Sequence, residues 1–333
     1  MRMKLRIMNC ELRMPPKPAA GRPSANSSFE IRHSPFASAF TLIEVLVAVT
    51  LLSLIVIALM AVFNGTQTAF RAGVTQTDVL ESGRAAMDLM AADLRQMSPS
   101  LGASNRPSAS GSSVVPVNFY ANTNVNYSPL VQPLPASSGQ RTYVLENFFI
   151  LSGGNQNGVP TWFGTGYTVY LSPANLFSLY RFSSNCPVAA AGAPTNLFYG
   201  FQGFLASPTN YSHLMDGVVG LTVRPFDVNG GRMTNSIVFS GKTTTNQNVF
   251  YLLPSNYGET GFYMLSNALP ATVEVEMDAL EDRTLQRAES LPNNLPAAPP
   301  NDRRTIYLES QPGAVHVFRQ RVSIPNVDPS AYQ

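Results

Sequence analysis

The chain has 333 residues, a formal net charge of +2 and only 13% charged residues, with 26 prolines and 23 glycines. So sparse a charge set favours a strand-and-loop domain outside the cytoplasm over a charged cytosolic enzyme. The length corresponds to about two ordinary domains.

Residues 1–39 carry seven basic side chains (Arg2, Lys4, Arg6, Arg13, Lys17, Arg22, Arg32) against two acids, Glu11 and Glu30. The remainder holds 15 basic and 18 acidic residues. That balance leaves no basic footprint for nucleic acid.

The next 24 residues, Phe40 to Phe63, read FTLIEVLVAVTLLSLIVIALMAVF and are apolar except for Thr41, Glu44, Thr50 and Ser53. As a helix they reach about 36 Å, enough to cross a bilayer. The basic flank keeps the amino terminus in the cytoplasm, so a single-pass inner-membrane protein with the bulk of the chain outside is expected. A carboxylate in such a segment costs on the order of 3 kcal/mol, so Glu44 calls for a cationic partner.

Three readings of this layout differ in where the chain is cut. A secretory cut after the apolar run fits poorly at Ala58-Leu59-Met60-Ala61, and an uncut anchor offers Glu44 no partner. A cut between Ala39 and Phe40 frees an amine four residues from Glu44, on the same helix face. An amine of the same or a neighbouring subunit could then neutralise the carboxylate, and only this reading explains Glu44.

Ser38-Ala39-Phe40-Thr41-Leu42-Ile43-Glu44, followed by the apolar helix, resembles the class III signal of type IV prepilins and of type II secretion pseudopilins. The resemblance implies cleavage by a prepilin peptidase after Ala39, N-methylation of Phe40, and filament assembly with other pilin or pseudopilin subunits through Glu44 and the N-terminal helix. The residue before the cut is usually Gly in that family, and Ala39 departs from it. The leader is long for a prepilin, and a start at Met14 would leave 26 residues before the cut. The stretch from Glu81 to Gln96, with Arg84 and then Asp93-Leu94-Arg95, is similar to minor pilins of the W type and minor pseudopilins of the J type. A prepilin-type family of verrucomicrobial gene cassettes, cassette protein C, is a nearer resemblance.

From residue 64 to 97 an amphipathic continuation of the helix is expected, because Leu80, Gly83, Met87, Met90, Leu94 and Met97 recur at spacings of three and four. Gly65, Gly73 and Gly83 each cost about 1 kcal/mol in a helix interior, so bending or unwinding around 64–75 is expected, and Pro99 should end the element. Arg84 and Asp93 read as a solvated or surface-paired face. Residues 98–140, with six prolines and ten serines, read as a long loop with one strand from Val114 to Tyr120.

From residue 141 to 333 a β-rich extracytoplasmic domain is expected. Its strands are Thr142–Leu151, Tyr167–Leu171, Val218–Phe226, Ser236–Phe239, Val249–Leu253, Phe262–Leu265, Thr272–Met277 and Val315–Ile324. One long helix followed by such strands predicts an α+β fold, a helix packed across an antiparallel sheet, which the pilin resemblance also implies.

Candidate chemistry is sparse. Glu274, Glu276 and Asp278 alternate with Val273, Val275 and Met277, so the acids should line a solvated outer face, with a calcium site or an acid/base pair as functional alternatives. His213 and His316 stand far apart, and no CxxC, GxSxG, phosphate-loop or dinucleotide motif is present, so neither an enzyme nor a cofactor is predicted. With Cys10 lost in the leader, Cys186 is the one remaining thiol and reads as a packed residue, with intermolecular pairing as the alternative. The aromatic runs at 147–149, 197–201 and 250–251 suggest strand packing, or else a carbohydrate- or partner-binding surface on a protein that only borrows the pilin export route. The polar, proline-rich residues 283–304 read as a mobile insertion.

Overall fold

In the computed structural model the described residues are 41–102, 115–124, 127–134, 138–171, 176–233, 248–251, 261–292 and 303–332. Residues 1–40, with the expected leader and cut between Ala39 and Phe40, and the strand expected at Ser236–Phe239 lie outside them. The chain divides into two units, one ending at Phe63 and one starting at Asn64.

Helix α1 (Leu42–Arg95) begins in the first unit, where every described residue is exposed. The Thr50 and Ser53 hydroxyls donate to the carbonyls of Val47 and Thr50, both at 2.8 Å, so neither leaves an unpaired polar group on this apolar surface. One helix of this kind, long and apolar and near the amino terminus, is compatible with a single-pass membrane anchor.

The second unit begins with the rest of α1, which stays helical through Gly65, Gly73 and Gly83. The expected unwinding around 64–75 is therefore not seen: about 1 kcal/mol per glycine is too little to interrupt a helix already propagating from both sides. Of the predicted stripe, Gly83, Met87, Met90, Leu94 and Met97 are buried, while Leu80 is half-buried and its neighbour Val79 is buried instead. At Gly83 a Cβ atom would lie 2.3 Å from the Phe318 ring, so this glycine is what lets the ring sit against the helix. The helix ends before Pro99, and Met97 bridges to Ser152.

A seven-stranded antiparallel sheet follows. Its strands are β1 (Val117–Thr123), β4 (Glu146–Gln156), β5 (Val159–Tyr170), β6 (Ser178–Pro187), β7 (Ser212–Met215), β9 (Val249–Tyr251) and β10 (Phe262–Leu265), in the order β7-β6-β5-β4-β1-β10-β9. A second antiparallel sheet joins β8 (Val218–Phe226), β11 (Thr272–Leu280) and β12 (Val315–Ser323) in the order β12-β11-β8, and β2 (Leu130–Pro133) pairs with β3 (Gln140–Tyr143). The fold is α+β, with a long N-terminal helix and antiparallel sheets.

The large sheet is buried on both faces, and β4 shows how. Phe148 and Ile150 point into one core with the α1 stripe and with Val273, Val275 and Met277 of the small sheet. Phe149 and Leu151 point into a second core, filled by helix α2 (Thr195–Ala206) through Leu197, Phe198, Phe201 and Phe204. Alternation with period 2 explains why a run as apolar as Phe148-Phe149-Ile150-Leu151 belongs to one strand. At Gly166 of β5 a Cβ would lie 2.4 Å from Phe201, so the missing side chain sets the approach of α2.

Three sequence expectations are corrected. The loop reading of 98–140 missed β2 and the start of β3. Residues 197–201 form part of a helix, whose 3.6 period was hidden by Gly200 and Gly203 within it. The 283–304 segment is helical at both ends, with α3 (Asp282–Glu289) and α4 (Arg303–Glu309) joined through residues 293–302 outside the described ones. The Arg304 side chain is buried and donates to the carbonyls of Leu291 at 3.1 Å and Glu289 at 3.2 Å, satisfying the carboxyl end of α3.

Candidate functional site

The predicted site lies where α1 begins. Thr41 precedes the helix and Glu44 sits in its first turn. The Thr41 backbone N–H and hydroxyl each donate to Glu44 Oε2 at 2.9 Å, and the Glu44 N–H donates back to Thr41 Oγ1 at 3.3 Å. This is a capping box: a Thr and a Glu three residues later satisfy each other's backbone donors at a helix start. The carboxylate therefore has hydrogen-bond donors within its own chain, and the Thr-x-x-Glu spacing was visible in the sequence. These bonds leave its negative charge uncancelled. The proposed cleavage and methylation positions, Ala39 and Phe40, lie outside the described residues.

The acidic strand β11 differs from expectation. Glu276 and Asp278 are buried, not solvated. The reason is a set of arginines on the neighbouring strands. In the sheet register Glu274 lies between Arg224 and Arg321, and Glu276 lies between Thr222 and Arg319. Arg224 donates to Glu276 at 2.8 Å, Arg319 Nε donates to the same oxygen at 2.9 Å, and Arg321 donates to Glu274 at 2.9 Å. From β3, Arg141 crosses over this face and donates to Glu276 at 2.9 Å and to Asp278 at 2.7 Å. Burial raises the Glu276 carboxyl, but the hydrogen bonds from Arg224 and Arg319 outweigh it and hold the group below its ordinary value. Burial dominates at Asp278, whose carboxyl is pushed up to about 6 against the pull of Arg141. The arrangement is an ion-paired cover for a sheet face. Arg319-Gln320-Arg321 alternates in step with Glu274-Val275-Glu276, which was the signal available in the sequence; Arg141 gave none.

Asp93 is also corrected. It is buried at the end of α1 and takes a fork from Arg181, with Nε at 2.9 Å and Nη2 at 3.0 Å, while the Tyr167 hydroxyl donates to the same carboxylate. Tyr167 and Arg181 are opposed across β5 and β6, so one helix side chain is tied to two strands. Burial and then the Asp93 charge raise the Tyr167 hydroxyl far above its ordinary value, which keeps it protonated and donating. Arg84, by contrast, is exposed as expected.

The remaining candidates offer no reaction centre. His316 lies 3.3 Å from Glu281, and His213 lies 2.8 Å from Asp216. Cys186 is a free, half-buried thiol on β6, raised by burial. Among the described residues no group of three His, Cys, Asp or Glu side chains is placed to hold a metal ion. Of the aromatic runs suggested as a binding surface, Phe148, Phe149, Phe198 and Phe201 are buried and Tyr199 is exposed, while the side chains of Phe250 and Tyr251 lie outside the described ones. Comparison with protein-family models, with curated proteins and with solved structures gives no match.

Proposed function

We propose that the chain is a minor pilin or pseudopilin subunit, a non-enzymatic structural protein of the inner membrane. A prepilin peptidase would remove residues 1–39 on the cytoplasmic side, Phe40 would be methylated, and the β-rich unit would face the periplasm or the exterior. The observation that carries this reading is the start of α1. There the apolar part of the helix, exposed from Leu42 to Phe63 and preceded by a basic leader, holds a single carboxylate whose charge no cation among the described residues cancels. In a bilayer that charge favours association with a neighbouring subunit's amine, which would fix the register between helices. The turn of α1 around Asp93, packed on an antiparallel sheet, is consistent with the same class.

Mass spectrometry of the amino terminus after co-expression with a prepilin peptidase tests the proposal. A methylated Phe40 as first residue is the expected result. An intact leader leaves a simple membrane-anchored protein, and a cut near Ala61 leaves a secreted domain; either result overturns the reading.

A further inference from the structure

Helices α3 and α4 enclose an open pocket of about 610 Å³ that plays no part in the proposed assembly. Its floor is one stripe of α3: Arg283, Gln286, Arg287 and Ser290 recur at spacings of three, one and three, so all four project to one side. Leu285 and Ala288 are buried on the other side and fix the helix to the body, while Thr284, also buried, reaches the lining from the edge. Tyr307 and Gln311 form the facing wall. That wall is held in place because Gln132, itself buried, donates to the carbonyls of Leu308 at 2.6 Å and Gln311 at 3.4 Å. The Arg304 bonds to the end of α3 fix the opposite wall.

The lining contains two guanidinium groups and no carboxylate. The nearest acid on the same helix turn, Asp282, accepts from Gln286 at 2.7 Å. Arg283 and Arg287 are both exposed, and neither has an ion-pair partner among the described residues. Two unpaired forks one turn apart favour a bound oxyanion, and the amide, hydroxyl and phenol groups around them suit a polyhydroxylated body. The volume falls in the range of small-ligand sites.

We propose that this pocket binds a soluble sugar-sized ligand bearing a phosphate or carboxylate, the oxyanion held between Arg283 and Arg287 and the hydroxyls met by Gln311 and Tyr307. The inference does not rest on the pilin reading. Calorimetric titration of the full chain in a non-ionic detergent, with glucose 6-phosphate, glucuronate, glucose and inorganic phosphate as probes, tests it. Saturable binding of one anionic sugar is expected, with glucose and free phosphate each at least tenfold weaker; the arm that binds identifies the oxyanion. The double variant Arg283→Gln/Arg287→Gln should weaken binding at least tenfold with an unchanged melting temperature. Arg287→Lys, which keeps the charge and loses the fork, should weaken it less. Absence of saturable binding by both anionic sugars, equal binding of free phosphate, or binding untouched in both variants overturns the proposal.

Discussion

Glutamine is the informative replacement at position 44. It can occupy the capping box as glutamate does, accepting from Thr41 through its carbonyl, but it carries no charge. If the charge pairs with a neighbour's amine, Glu44→Gln should leave membrane insertion intact and abolish incorporation into filaments, read by co-purification with tagged subunits. Normal incorporation would reduce Glu44 to a helix cap. At Asp93 the expectation is energetic. Asp93→Ala leaves Arg181 half-buried without its anion and the Tyr167 hydroxyl without an acceptor, so a loss of about 3–5 kcal/mol in chemical unfolding is expected, against about 1–2 kcal/mol for Tyr167→Phe. Asp278 adds a pH dependence with a definite sign. Its folded carboxyl titrates near 6, above the unfolded value of 3.8, so between these values the folded chain holds a proton that the unfolded chain has released. The contribution is complete below about pH 4 and lost as pH rises through 6, at most about 3 kcal/mol, and Asp278→Asn should flatten that part of a melting-temperature profile. Glu276, with its carboxyl held low, contributes in the opposite sense, losing stability as pH falls. The roles of Asp93 and Asp278 were not legible from residue type, since their partners Arg181, Tyr167 and Arg141 lie on strands far away in the chain, whereas the Thr-x-x-Glu spacing at Glu44 is local.

Among the elements, α1 was the most legible, because its apolar run and its three-four spacing are long and strong signals. Strands β8, β10, β11 and β12 follow from their β-branched and aromatic runs. Strand β6 did not, since Ser183, Ser184 and Asn185 fill its outer half, and α2 did not, since its glycines mask the helical period. The glycines of α1 separate two physical causes that sequence cannot distinguish. Gly73 has nothing within 4 Å of where a Cβ would stand, so Gly73→Ala should raise stability by up to about 1 kcal/mol. Gly83→Ala gains the same propensity but drives its methyl into the Phe318 ring, so a net loss is expected. Thermal unfolding of the two variants side by side checks the contrast; a gain at both positions would mean that Phe318 moves aside without cost.

At the scale of the whole molecule, the sheet faces are filled from opposite ends of the chain. Strands β4, β5 and β6 pair in chain order, β4 and β5 across a two-residue turn and β5 and β6 seven residues apart, so this meander can form as soon as it is made. Strand β1 is different. It pairs with β4 on one side, but its other side waits for β10, and the buried Asn118 side chain donates to the Ser266 carbonyl 148 residues later. The core that the α1 stripe shares with Phe148 and Ile150 likewise stays incomplete until Val273, Val275 and Met277 arrive. A chain delivered amino terminus first therefore spends most of its synthesis with an open strand edge and a half-built apolar core, both prone to pair wrongly. The interval before residue 262 emerges is the vulnerable one, and a ribosome-stalled or truncated product ending there should aggregate or be degraded rather than accumulate.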